Sequence, residues 1–134
     1  MKKIVLALTA AAVLASPVAV SAKGPKQTPE EKLAKLLEGR VPGKPVSCIS
    51  LTTARDSQIF DKTAIVYNSG STIYVNRPRL ASSLDDDDVL VTETHGSQLC
   101  RLDVVKLHER TGMWYRGFVS LDDFVPYRKV PKGS

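Results

Sequence analysis

The sequence predicts a mainly β domain, a small antiparallel barrel or sandwich with one N-terminal helix. Three observations predict it. Seven short runs rich in β-branched and aromatic residues follow one another with turn residues between them, and a single segment near residue 30 has helical spacing. Two well-separated cysteines lie in a chain whose first residues have the makeup of an export signal.

The central element is Thr63–Asn76, two β-rich runs around Asn68-Ser69-Gly70-Ser71. A Ser69-Gly70 turn pairs Tyr67 with Thr72, Val66 with Ile73, Ile65 with Tyr74 and Ala64 with Val75, and a four-residue loop keeps those partners. Ala64, Val66, Ile73 and Val75 then form a core face, and Ile65, Tyr67, Thr72 and Tyr74 a larger, more amphipathic one. Tyr67 and Tyr74, with nearby Arg77 and Arg79, are the candidate binding surface.

At the N-terminus, Met1-Lys2-Lys3 precedes an apolar run from Ile4 to Ser16, and Val20-Ser21-Ala22 supplies small residues for cleavage. These three parts predict a signal peptide over residues 1–22. Pro17 and Lys23-Gly24-Pro25 interrupt the run before the ~20 apolar residues that a span needs, so no membrane anchor is expected after cleavage. No cysteine follows the run to carry a lipid. The expected location is periplasmic or secreted.

Removing Lys2 and Lys3 leaves 17 basic against 14 acidic side chains, a net charge of +3 on 112 residues. That balance does not call for nucleic acid. It weakly favours an anionic envelope component, with an envelope protein as the other partner class. The length allows one domain, divided here into an N-terminal segment with a short helix (residues 23–45) and a β domain (46–134).

Thr28-Pro29-Glu30-Glu31 offers an N-cap, a first-turn proline and a capping-box glutamate. Leu33, Leu36 and Leu37 share one helical face and are expected to dock on the domain, and Gly39 is the stop. Arg40–Pro45 reads as a turn-rich link. Strands are expected over residues 46–52, 57–60, 63–67, 72–76, 89–93, 99–107 and 115–121. In the sixth, Cys100, Leu102 and Val104 share one face. Cys48 and Cys100 lack Cys-x-x-Cys spacing and make a poor metal set, so the expectation is a structural disulfide. Trp114 and Phe118 are expected in the core or at its edge. Leu121, Phe124, Val125 and Tyr127 are expected to close the core, because a small domain rarely leaves that much apolar area wet.

Gly39–Ile49, Tyr74–Pro78, Gln98–Arg101 and Leu121–Arg128 together resemble a family of small exported proteins of Gram-negative, alphaproteobacterial-type bacteria. The resemblance spans roughly residues 39–128. It implies export and an envelope location, and supplies no activity. Similar proteins carry further cysteines near 81–83 and 117–119, where this chain has none.

Three constellations bear on chemistry. Asp85–Asp88, with Glu93 and His95 beyond it, lacks the spacing of a Ca²⁺ loop and reads as a solvated acidic loop, with cation binding as the alternative. His95 and His108 with Ser97, Asp103 or Glu109 do not form a recognisable hydrolytic motif. The basic residues Arg77, Arg79, Arg101, Lys106, Arg110, Arg116, Arg128 and Lys129 are interleaved with acids. No residue pattern calls for a metal or cofactor, and no catalytic residue is assigned. The sequence therefore points to a non-catalytic envelope binding or accessory domain. The alternatives are a periplasmic hydrolase inhibitor using the Asn68–Ser71 turn as a wedge, and a small hydrolytic enzyme.

Overall fold

The structure, a computed structural model, describes residues 24–132 together with 12 and 15–17. The expected signal peptide lies mostly outside the described residues. The order of elements is α1 (Pro29–Leu36), β1 (Arg40–Pro42), β2 (Cys48–Ser50), β3 (Asp56–Phe60), β4 (Ala64–Ser69), β5 (Thr72–Asn76), a 3₁₀ turn (Ala81–Ser83), β6 (Asp88–Thr92), β7 (Gln98–Cys100), β8 (Val104–Glu109), β9 (Tyr115–Ser120) and β10 (Phe124–Lys129).

All strand pairs are antiparallel. A five-stranded sheet runs β1-β10-β5-β4-β3, a three-stranded sheet runs β6-β8-β9, and β2 and β7 form a two-stranded ribbon. The sheets pack in a sandwich-like arrangement, and no closed barrel forms among the described residues. Two apolar layers hold them. Ile65, Tyr67 and Phe124 from the large sheet meet Val105, Leu107 and Val119 from the small one, with Ile49 and Leu99 from the ribbon. On the opposite face, Ala64, Val66, Ile73 and Val75 pack with Leu33 of α1.

The helix forms as its sequence requires. Thr28 and Glu31 close the reciprocal capping box, at 3.2 Å for Glu31 N–H to Thr28 Oγ1 and 2.7 Å for Thr28 N–H to Glu31 Oε2. Leu33 is buried, Leu36 and Leu37 are packed beside it, and Gly39 takes a φ of +71° just past the end.

The central hairpin corrects two expectations. Its turn is Gly70-Ser71, so Tyr67 pairs with Tyr74, Val66 with Val75 and Ile65 with Asn76. Gly70, at φ +58°, takes the first turn position, where a left-handed residue is needed, and the register moves by two residues. A shift of two keeps each side chain on its expected face. The second correction concerns those faces: Ala64, Ile65, Val66 and Tyr67 are all buried, because α1 covers one side and the small sheet the other.

Further differences follow from single residues. The expected strand over 99–107 is broken into β7 and β8 at Leu102, whose φ is +73°. Asp103 Oδ2 accepts from Cys100 N–H at 2.7 Å, which holds that break, and Leu102 is exposed. The 40–45 link contains β1, which pairs with β10. The closing segment is itself a strand, with Phe124 fully buried and in edge-to-face contact with Tyr67 at 5.8 Å between ring centres. Asn76, also fully buried, ties this corner. Its Nδ2 donates to Asp122 O at 2.6 Å, and its Oδ1 accepts from Asp122 N–H at 3.1 Å.

Cys48 and Cys100 face each other as partners in the ribbon and form a disulfide, as expected. The bridge joins two strands too short to be stable as an isolated pair.

Candidate surface for partner binding

The expected surface is dispersed by the fold. Tyr67 is buried, a correction that follows from the small sheet lying over its face. Its hydroxyl has no hydrogen-bond partner among the described residues, and burial pushes the phenol well above its ordinary pKa. Tyr74 is half-buried and packed against the same core. Arg77 reaches back to the helix, where its guanidinium grips Glu30 through bonds of 2.7 and 3.1 Å. That hydrogen-bonded guanidinium holds the Glu30 carboxyl below the usual range. Arg79 is exposed, while its backbone bridges to Ser120. These four residues do not make one patch.

Other charges are largely paired. Arg101 lies 3.9 Å from Asp122 and 3.8 Å from Asp123, Lys106 lies 2.7 Å from Glu93, and Arg110 lies 3.5 Å from Asp87. Arg116 sits between Asp85 at 3.4 Å and Asp88 at 2.8 Å. The acidic run is thus only partly solvated. Asp88 starts β6 and is buried, because Arg116 from β9 neutralises it there. Desolvation still raises the Asp88 pKa, with Arg116 opposing it. No cluster of three or more metal-ligating side chains occurs among the described residues.

The histidines are occupied separately. His108 Nδ1 lies 2.9 Å from Met113 O, and its ring meets Tyr115 edge to face at 5.8 Å. Asp103 is held by Cys100 N–H, while Glu109 accepts from Thr111 and Gly112. Those bonds hold the Glu109 carboxyl below its usual pKa, the Thr111 hydroxyl contributing most. His95 is exposed on the loop before β7. The Asn68–Ser71 turn is tied back by Arg40, which donates to Ser71 O at 2.9 Å.

A different surface emerges on the small sheet. Lys106 stands opposite both Val91 and Phe118, so these three share one face with Val104 and His108. The other face carries Leu90, Val105, Leu107 and Val119 into the core. The outward face is left uncovered among the described residues. Phe118 is 46% exposed, Tyr115 58% and Trp114 73%, which corrects the expectation of a core position for Trp114 and Phe118. Alternation directs Val119 inward and Phe118 outward, while Trp114 lies in the β8–β9 hairpin loop.

That loop is built rather than slack. Glu109 gathers three donors from Thr111 and Gly112, Glu109 N–H donates to Trp114 O at 2.9 Å, and His108 meets Met113 O. The Trp114 indole lies so close over Gly112 that a Cβ there would collide with Nε1 and Cδ1. The exposed ring therefore lies against the Gly112 backbone of its own loop. The sequence alone puts Trp114 in the core or at its edge, because aromatic residues usually bury.

No protein-family model, curated protein or solved structure matches this chain.

Proposed function

We propose that this is an exported, non-catalytic binding domain of the bacterial envelope, whose contact surface is the outer face of β6-β8-β9 with its hairpin tip. Export and an alphaproteobacterial-type source rest on the leader composition and the resemblance described above. The disulfide and the lack of any membrane-length apolar helix among the described residues are compatible with them.

The carrying observation is Trp114, exposed with its chain neighbours Met113 and Tyr115 at the hairpin tip, while Phe118 and Val104 are exposed farther along the β8–β9 ladder. Exposed aromatic residues of this kind commonly dominate protein–protein affinity. The neighbouring Lys106, Arg110 and Arg116 are paired with carboxylates, leaving little free positive charge beside the patch. That favours an envelope protein over an anionic surface as the partner.

The test is a crosslinked pull-down from the native envelope fraction, with Trp114→Ala and Phe118→Ala proteins run in parallel. The expected result is one protein partner bound at least ~30-fold more weakly by the Trp114→Ala variant, the effect of losing about 2 kcal/mol. Both variants should keep the parental melting temperature. A partner held equally by parent and variants overturns the assignment of this face.

A further inference from the structure

A second binding feature lies at the free edge of the large sheet. A groove of about 840 Å³ runs beside β3, between α1 and the start of β6. Ser57, Gln58, Ile59 and Phe60, four consecutive residues, line it. Consecutive strand residues point to opposite faces of a sheet, so lining by all four means that the strand presents its edge. From β6 only the alternate residues Asp88 and Leu90 contribute, and they present side chains.

Among the described residues, no strand pairs with this edge. β3 is the last strand of the sheet, and the two-residue turn makes Ser69 and Thr72 the closing hydrogen-bonded pair of β4 and β5. Tyr67 and Ile65 then also bond toward β5, while Ala64, Val66 and Asn68 bond toward Phe60, Gln58 and Asp56 of β3. The backbone groups of Ser57 and Ile59 consequently point into the groove. The opposite edge of the sheet is blunted, since β1 has three residues, ends in Pro42 and is soon followed by Pro45. β3 has neither proline nor lysine.

We propose that this groove binds an extended peptide segment of a partner protein, which adds a sixth strand beside β3. The walls define its chemistry. Leu33 of α1 packs on the Phe60 side, so Lys32, Lys35 and Leu36 line the wall of that face. Leu90 packs on the core cluster that holds Ile59, on the other side, where Asp86, Asp88 and Arg110 line the wall, Asp88 paired with Arg116 and Arg110 with Asp87. Lys32, Lys35 and Asp86 have no ion-pair partner among the described residues. A strand between these walls directs successive side chains alternately to the lysines and to Asp86. The segment that fits has adjacent acidic and basic residues flanked by aliphatic ones, with main-chain bonds supplying affinity and the two walls supplying selection.

The probe is the acetylated, amidated peptide Thr-Val-Glu-Lys-Val-Thr, titrated into the folded, oxidised protein while amide NMR shifts are followed. Saturable shifts at Ser57–Phe60 are expected, and N-methylation of the central peptide residues should abolish them. Ser57→Pro removes one outward N–H without touching the ladder to β4, and should weaken binding at least 10-fold. Lys32→Glu combined with Lys35→Glu should reverse the preference between this peptide and its Lys-Lys counterpart, a readout that does not depend on Ser57→Pro folding. The proposal is overturned by an absence of shifts at millimolar peptide, by shifts elsewhere, or by equal binding of the N-methylated peptide. Shifts at β3 that track protein concentration alone would mean pairing with a second copy, and would overturn it too.

Discussion

The two sheets of this molecule are built from similar residues and used differently. The five-stranded sheet is buried on both faces, by α1 on one and by the small sheet on the other, so that β4 is apolar without alternation. The three-stranded sheet is buried on one face only by the described residues. Its other face and the adjoining turns hold Leu102, Val104, Met113, Trp114, Tyr115 and Phe118, most of the exposed large apolar side chains. Packing thus accounts for the first sheet and leaves the second with apolar surface that stability does not explain. Phe124 and Phe118 put that contrast in one residue type.

The largest expected effect breaks the large sheet. Phe124→Ala removes a ring with no solvent exposure and should cost roughly 3–5 kcal/mol, read as a lower denaturation midpoint with unchanged slope. Phe118→Ala on the small sheet should stay within about 0.5 kcal/mol of the parent. Equal losses would place Phe118 in the core and remove the proposed surface.

Replacing both cysteines by serine comes next. The bridge closes a loop spanning a sequence separation of 52 residues, worth about 4 kcal/mol as an upper estimate from chain entropy. The ribbon of β2 and β7 has only three residues per strand, so it should lose amide-exchange protection before either sheet does. Loss that begins in β4 and β5 would contradict the view of the large sheet as the stable scaffold.

These contrasts also show what could be read from the residues alone. The mainly antiparallel β class, the helix with its capping box, the disulfide and the closing role of Phe124 were legible because each rests on a local signal or on a simple pairing. The covering of β4 on both sides was not, since alternation reports periodicity and cannot say how many layers will stack on a strand. The hairpin register failed because serine flanks Gly70 on both sides, which leaves the turn position open by a residue at each end. β1 was hidden by Pro42 and by Gly39 and Gly43 on either side of it. The outward position of Phe118 and Trp114 was missed because aromatic residues usually bury, a tendency that a binding surface reverses. The β3 groove had no signal at all, being made by elements that only the topology brings together.

The smallest expected effect sharpens the account of the doubly covered sheet. Tyr67 stands inside the layer between the sheets with a hydroxyl that finds no partner among the described residues. A buried unpaired hydroxyl costs free energy, so Tyr67→Phe should leave stability unchanged or raise it by up to about 1 kcal/mol at neutral pH. Its pH dependence supplies a signature that packing alone does not. Burial holds the phenol protonated well above the ordinary tyrosine pKa of about 10, whereas the unfolded chain ionises there. The unfolded state therefore binds fewer protons above that point, and folding stability contributed by Tyr67 falls as pH rises through the alkaline range. Urea unfolding of parent and Tyr67→Phe protein between pH 8 and 11 should show a steeper alkaline loss for the parent (these pH limits span the tyrosine range). Parallel curves would mean that Tyr67 reaches solvent, and that the small sheet does not seal this face of the large one.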